Sequence, residues 1–451
     1  MDPYETKIAD VLSSSAFLSR HPAGTQLGSD IYSNSENAVS ELMNRQRYTG
    51  QYISTTNQLS FNGQSTFFLQ PGSVLNQCVI SAEISVPQHT RAPDLWLLHA
   101  IQSIELQLSG SSSIQSLKIS GRSHFDMIKA TLDSKKLELL NKSCRFLNVT
   151  SPSGATVKAS VPLHLFFSSA EMRAVFPLDS STLQSQVLVN IRWKNNYEFL
   201  SGDSVNAVSL PTSFDDLYLR VMDQVVISND FALANSLKMD PELVYSIPGT
   251  YIQTYSQIVN VASLATEYQV NLTSMPSGML QCILVSCSAL SQEGSVSTQT
   301  LIQPWSNFET VRVLYNGIEL VRYDSYEELM LGNACATDKD NGINYEWRGH
   351  YQASAATSPV IFNNTGTVIL PFCNEVSQVL RGRRHEHTKD YSGSSIQFFF
   401  RIASGVRYAE NNTIATSDTI APNPTGDYRL NFTFVNNGLY EVSQRSVSLE
   451  M

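Results

Sequence analysis

The densest group of side chains able to do chemistry is Arg381-Gly382-Arg383-Arg384-His385-Glu386-His387. On a strand, residues two apart share a side, so His385 and His387 could present two imidazoles to one metal ion. No third ligand can be named from the sequence. Arg381, Arg383 and Arg384, with the two histidines, also form a basic loop suited to a phosphate or an acidic neighbour. The plainest alternative is a solvated loop between two strands. That solvated loop is the leading expectation, with a contact loop for another subunit or for nucleic acid second, and no catalytic, cofactor or metal residue is assigned.

Other candidates are weaker. The run Thr337-Asp-Lys-Asp-Asn-Gly342 is rich in oxygen donors but lacks the acidic residue that closes a calcium loop, and a plain turn explains it. Asp215 with Asp216, and Glu327 with Glu328, read as turn and helix acids rather than a glycosidase pair. His21, His89, His99, His124, His164 and His350 stand apart from one another and from other ligand types. The chain contains no GxSxG elbow, no phosphate-binding GxxxxGK[ST] loop and no HExxH. The reading is therefore not an enzyme, and no cofactor is expected.

The six cysteines (78, 144, 282, 287, 335 and 373) form no CxxC pair, which argues for buried free thiols in a reducing compartment. A net charge of −10 disfavours broad nucleic-acid binding, and the 16% charged fraction is low. The N-terminus lacks a basic segment followed by an apolar run, so no secretory signal is expected. No stretch has the 18 or more apolar residues expected of a membrane span.

At 451 residues the chain is long enough for two domains. Residues 1–50 read as an arm, helical over Tyr4–Leu18 and polar or disordered beyond. From residue 51 short alternating runs end in Gly, Pro, Asn or Ser, as in QVLVNIRW and SIQFFFRIASG, and helices are few. The expected helices are HFDMIKATLDSKKLELL, YEELMLG and a segment around Phe231–Leu237. Aromatics such as Phe67, Phe68, Phe166, Phe167 and Phe398–Phe400 read as core and inter-sheet packing. Trp96 and Trp305 read as duplicated core anchors.

The chain also repeats itself. VLNQCVI (74–80) matches GMLQCIL (278–284), and the run ending IELQLSG at Gly110 matches the run ending VRVLYNG at Gly317. A second strand and a helical turn follow in both halves, GRSHFDMI in one and RYDSYEELM in the other. Val161 through Phe167 to VLVNIRW matches Val368 through Phe372 to IQFFFRI. Offsets at most landmarks run from 204 to 209. These residues imply two copies of one β-domain: arm 1–50, first unit 51–222, linker 223–260, second unit 261–451.

The segments VPLHLFFSSAEMRAVFPLDSSTLQSQVLVNIRWK, LYLRVMDQVVISNDFALANSLKMDPELVYSIPGTYIQTYSQ and VRVLYNGIELVRYDSYEELM resemble the double jelly-roll major capsid proteins of icosahedral DNA viruses. The resemblance spans roughly residues 50–451 and rests on the ordered constellation. It departs from the algal and giant-virus pattern in its arm and in lacking an acidic-Arg linker run, so large DNA virus, virophage, polinton-like and tailless-phage lineages all stay open. The resemblance implies an all-β fold of two tandem eight-stranded jelly rolls with a few short helices and an N-terminal arm. It implies a major capsid protein that forms homotrimers, pseudo-hexagonal capsomers tiling an icosahedral shell. The implied partners are the chain itself, neighbouring capsomers, penton and minor capsid proteins, and an internal membrane reached through the arm. The implied location is the virion capsid, assembled in the host cytoplasm or nucleus. Two other readings stand beside it: a same-fold scaffold or minor capsid protein, and a carbohydrate-binding or hydrolytic β-sandwich.

Overall fold

The computed structural model describes residues 19–20, 46–54, 59–69, 72–90, 92, 95–109, 114–131, 139–140, 144, 149, 151–164, 176–178, 187–200 and 208–226 of the first half. In the second half it describes 245–273, 279–292, 308–325, 328–329, 332, 348–351, 360–363, 367–373, 376, 394–403, 405–410, 413–422, 424–442 and 447–450.

Strands dominate, as the period-2 alternation requires. The run Ile396–Ile402 buries every second residue, which a half-buried strand does because successive side chains point to opposite faces. The first half builds two sheets. One has the order β2 (Gln46–Ser54), β10 (Asp216–Val226), β4 (Gly72–Val86), β7 (Ala155–Pro162), with β8 (Phe176–Leu178) also on β4. The other has the order β3 (Gln64–Leu69), β9 (Val187–Trp193), β5 (Ile101–Ser109), β6 (Ile114–Ser120).

The second half repeats this topology. One sheet runs β11 (Tyr245–Val261), β22 (Gly426–Val442), β13 (Met279–Ala289), β18 (Thr367–Pro371). Its margins carry β1 (Ser19–Arg20) on β11 and β23 (Val447–Glu450) on β22. The facing sheet runs β12 (Tyr268–Leu272), β19 (Ile396–Ile402), β14 (Phe308–Tyr315), β15 (Ile318–Tyr323). Counting the eight core strands of each half in chain order, the sheets read first-eighth-third-sixth and second-seventh-fourth-fifth both times. All pairs are antiparallel, and this interleaving is the jelly roll. Two insertions in the second half add a further sheet, β16 (Arg348–Tyr351), β17 (Val360–Asn363), β20 (Gly405–Glu410), β21 (Thr413–Pro422).

The repeat is visible at residue level. Ile104 and Leu106 pair with Ile191 and Val189; in the second half Val311 and Val313 pair with Phe400 and Phe398. All eight side chains are buried. Asn316 and Gly317 both have positive φ, 47° and 81°, which the tight two-residue turn between β14 and β15 needs.

One expected match shifts by a residue. Val79, not Cys78, corresponds to Cys282, because Val79 pairs with Pro162 and Cys282 with Pro371. The pairing of β13 with β22 is irregular between Leu280 and Cys282, and a one-residue slip exchanges the two faces of a strand. Cys78 and Ile80 point into the first core, and Ile283, Val285 and Cys287 into the second. Cys282 and Leu284, on the other face of β13, join the first core instead. Every residue from Leu280 to Ala289 is therefore buried.

Aromatic rings centre both cores. Trp193 meets Phe214 edge-on at 4.7 Å, and Phe398 meets Phe432 edge-on at 5.5 Å. Trp96 is fully buried, whereas Trp305, Phe166 and Phe167 lie outside the described residues. Two aromatic assignments need correction. Phe68 is 36% exposed, on the outer side of β3, and Phe399 lies on the outer side of β19 beneath the Arg312 guanidinium, 4.3 Å from the ring centre.

Two helices, α1 (Trp96–Ala100) and α2 (Gly121–Thr131), pack against the first-half sheets. Sequence reading missed α1, whose five residues are too few to show a period. Ser120 caps α2, its Oγ accepting from Ser123 N at 3.0 Å. Gly121 lies so close to β5 that a Cβ would sit 1.9 Å from Ile101 O, which explains a glycine at this helix start. The helices expected over 4–18 and 231–237 lie outside the described residues. Strand β2 begins within the expected arm, and β11 lies almost wholly within the expected linker.

Candidate junction between the two halves

Arg381, Arg383, Arg384, His385 and His387 all lie outside the described residues, as do Cys335 and Glu327. Of the other candidate acids, Asp215 and Asp216 are exposed at the start of β10. Glu328 turns back to accept from Asp324 N at 2.7 Å, while its own N–H donates to Ser325 Oγ at 3.2 Å. That reciprocal arrangement is a helix-capping role. Among the described residues no three His, Cys, Asp or Glu gather as a metal site would require. Cys78 is wholly buried, and burial pushes its thiol up to about 12, far from a reactive thiolate.

Buried polar chemistry is concentrated instead where α2 meets the second half. Residues 122, 123 and 126 share one side of the helix, as positions three and four apart do. That side faces the outer surface of the sheet containing β13, β18 and β22. Asp126, 1% exposed, accepts from Ser286 Oγ at 2.8 Å through Oδ2 and from Thr367 Oγ1 at 3.0 Å through Oδ1. Arg122 donates from Nε to the same Ser286 Oγ at 2.9 Å, and this Nε lies 3.6 Å from Asp126 Oδ2. Ser123 Oγ lies 2.8 Å from Thr433 Oγ1 and 3.1 Å from Asn431 Nδ2.

Apolar contact surrounds this cluster. Cys282 and Leu284 of β13, Ile369 of β18 and Val435 of β22 pack into the first-half core. Strand β22 divides its residues between the halves: Leu430, Phe432 and Phe434 enter the second core, while Asn431 and Thr433 meet α2. Edge strand β6 packs against β11 and β23 of the second half. The two jelly rolls are thus joined by a surface with the make-up of a protein interior, in which every bond to the Asp126 carboxylate crosses or lines the junction.

Beneath α2, on the first-half side, lies a pair of histidines 40 positions apart in the chain. The His164 N–H donates to His124 Nε2 at 2.9 Å, which requires that nitrogen to be unprotonated. Burial lowers His124 to about 3, with a further push from His164, and lowers His164 itself to about 4. His99 of α1 stacks on Phe125 at 5.0 Å; burial, then Lys194 and Arg122, hold it well below the usual imidazole range. Among the described residues the chemistry of this arrangement is that of a joint.

Among the described residues no helix is long and apolar enough to cross a membrane. No protein-family profile and no curated protein matches the chain. Solved structures do. A chain of the PBCV-1 virus capsid superposes with a TM-score of 0.61 at 10% identity, covering 90% of this chain and 97% of that one. A chain of the Sputnik virophage gives 0.56 at 12% identity, covering 90% and 88%. The Faustovirus major capsid protein gives 0.55 at 10% identity and 98% coverage of both chains. Together with the twice-repeated strand order, these likenesses show that the chain has the double jelly-roll fold of viral major capsid proteins.

Proposed function

We propose that the chain is a major capsid protein, a structural subunit and not an enzyme, that closes into homotrimers with a pseudo-hexagonal outline. Division into jelly rolls falls, in this reading, in the segment 227–244 between β10 and β11. The observation that carries the reading is a difference between two equivalent edges. Inside the chain, edge strand β6 of the first jelly roll lies against β11 and β23 of the second, with Ser116 and Lys118 at its exposed margin. The equivalent edge of the second jelly roll, β15, is exposed, and it is apolar where β6 is polar. Ile318, at the position that Gln115 holds in β6, is 73% exposed, and Leu320, the extra residue at the irregularity of β15, is 42% exposed.

An exposed apolar edge strand is an invitation to pairing or packing. A second copy supplies the fitting surface, because its first jelly roll carries β2 and β10 in the places of β11 and β22. Contact of this head-to-tail kind closes a ring when the rotation permits. Three chains would then place six similar barrels around one axis, with the in-chain junction alternating with an inter-chain copy of itself.

The virion capsid is the corresponding location, with neighbouring capsomers, penton and minor capsid proteins as partners. Abundance separates this role from that of a same-fold scaffold. In purified particles the chain should be the predominant protein by quantitative mass spectrometry. Recovery only from immature particles would favour the scaffold instead.

A further inference from the structure

Apart from the junction, the second jelly roll carries a charged cleft of about 330 Å³ on the outer face of the sheet that holds β14, β15 and β19. Its floor is set by register. Thr310 lies opposite Arg401, and Arg312 lies opposite Arg322. Inward positions on these strands, Val311, Val313 and Phe400, fill the core, so the arginines are turned outward.

Two like charges facing each other across strands destabilise a sheet unless each is neutralised. Here both are. Arg312 Nη2 donates to Glu267 Oε2 at 2.9 Å, and Arg322 Nε donates to Asp324 Oδ1 and Oδ2 at 2.8 and 3.0 Å. Arg401 differs: among the described residues it has no hydrogen-bond or ion-pair partner, and neither does the Thr310 hydroxyl opposite it. Glu319 also acts on Arg322, so what sets Arg401 apart is a planar donor fork to which no described carboxylate is bonded.

We infer that this cleft binds a polyhydroxylated monocarboxylate, an acidic monosaccharide in size and chemistry, with Arg401 and Thr310 taking its carboxylate. The volume is at the small end of ligand pockets, enough for one sugar-sized ring. A single unspent guanidinium matches one carboxylate in bidentate geometry. Glu267 and Asp324 retain lone pairs on the rim that accept from sugar hydroxyls. The same two carboxylates repel a dianion, which disfavours phosphate.

Saturation-transfer NMR on the full-length chain, with glucuronate, glucose and inorganic phosphate as probes, tests this. Glucuronate should bind with a dissociation constant on the order of 1 mM. Glucose, and glucuronate with Arg401→Gln, should each bind at least tenfold more weakly; Thr310→Val should cost about threefold. Acetate should compete with glucuronate on the unmodified chain, a readout that needs no variant to fold. The inference is overturned if glucuronate does not bind, if glucose or phosphate binds as tightly, if acetate does not compete, or if a folded Arg401→Gln binds unchanged.

Discussion

Asp126 Oδ1 accepts a hydrogen bond from Thr367 Oγ1 at 3.0 Å, so one carboxylate on a first-half helix is tied to a strand 241 positions further along the chain. Its other oxygen holds Ser286 of a second strand. A buried carboxylate of this kind is tolerated because its hydrogen bonds replace those it had with water. Asp126→Ala removes the acceptor of the Ser286 and Thr367 hydroxyls and the carboxylate that lies 3.6 Å from Arg122 Nε. The expected loss is about 3 kcal/mol of stability, read as a lowered thermal midpoint. Asp126→Asn, which keeps one acceptor, should lose less. Equal midpoints for Asp126→Ala and the unmodified chain would show that the carboxylate does not hold the junction.

Helix α2 can reach this position only because its first residue has no side chain. A methyl on Gly121 would overlap Ile101 O and push the helix away from β5, toward the second half. Gly121→Ala should therefore cost about 3 kcal/mol, more than an alanine normally changes at a helix start. Urea titration of both proteins checks the magnitude; a variant as stable as the original would show that the helix has room to shift.

Acid should weaken the same region. His124 and His164 are held neutral in the folded chain, with values of about 3 and 4, whereas an unfolded histidine titrates near 6.5. Between those limits the unfolded chain binds more protons than the folded one, so stability rises with pH. The contribution is fully present above about pH 6.5 and is lost as the pH falls toward 4. Two such groups amount to a few kcal/mol in order of magnitude. Urea midpoints measured from pH 7 to pH 4.5 should fall steeply. In His124→Gln, whose amide oxygen can still accept from the His164 N–H, the slope should be shallower. An identical pH profile for the two proteins would contradict this assignment.

How far these features could be seen in the sequence depends on how local they are. Alternation in IQFFFRI depends on neighbours alone, and it produced the strand expected of it. The repeat was legible because duplicated cores keep duplicated apolar positions. Its register at Cys282 was not, because an irregularity at one residue exchanges the faces of β13 without disturbing its composition. The Asp126 cluster gave no signal, since its partners come from strands 160 or more residues away. His124 and His164 stand apart in sequence and meet only through folding. Arg401 looks like any outward residue of a strand until its cross-strand neighbours are known.

The edge comparison yields a prediction about assembly that leaves the fold alone. Ile318→Lys with Leu320→Lys should leave the thermal midpoint of the isolated chain within about 0.5 kcal/mol of the original, since exposed positions contribute little. Association should be lost. Lysines on an edge strand oppose pairing with another chain. A double variant that still associates normally would place the contact on another surface.

Mass in solution tests the central claim most directly. Light scattering coupled to size-exclusion chromatography on the unmodified full-length chain should give the mass of three chains, and the Ile318→Lys, Leu320→Lys variant the mass of one. A monodisperse single-chain mass for the unmodified protein at concentrations up to about 0.1 mM would contradict the trimer, and with it the reading of β15 as an inter-chain edge.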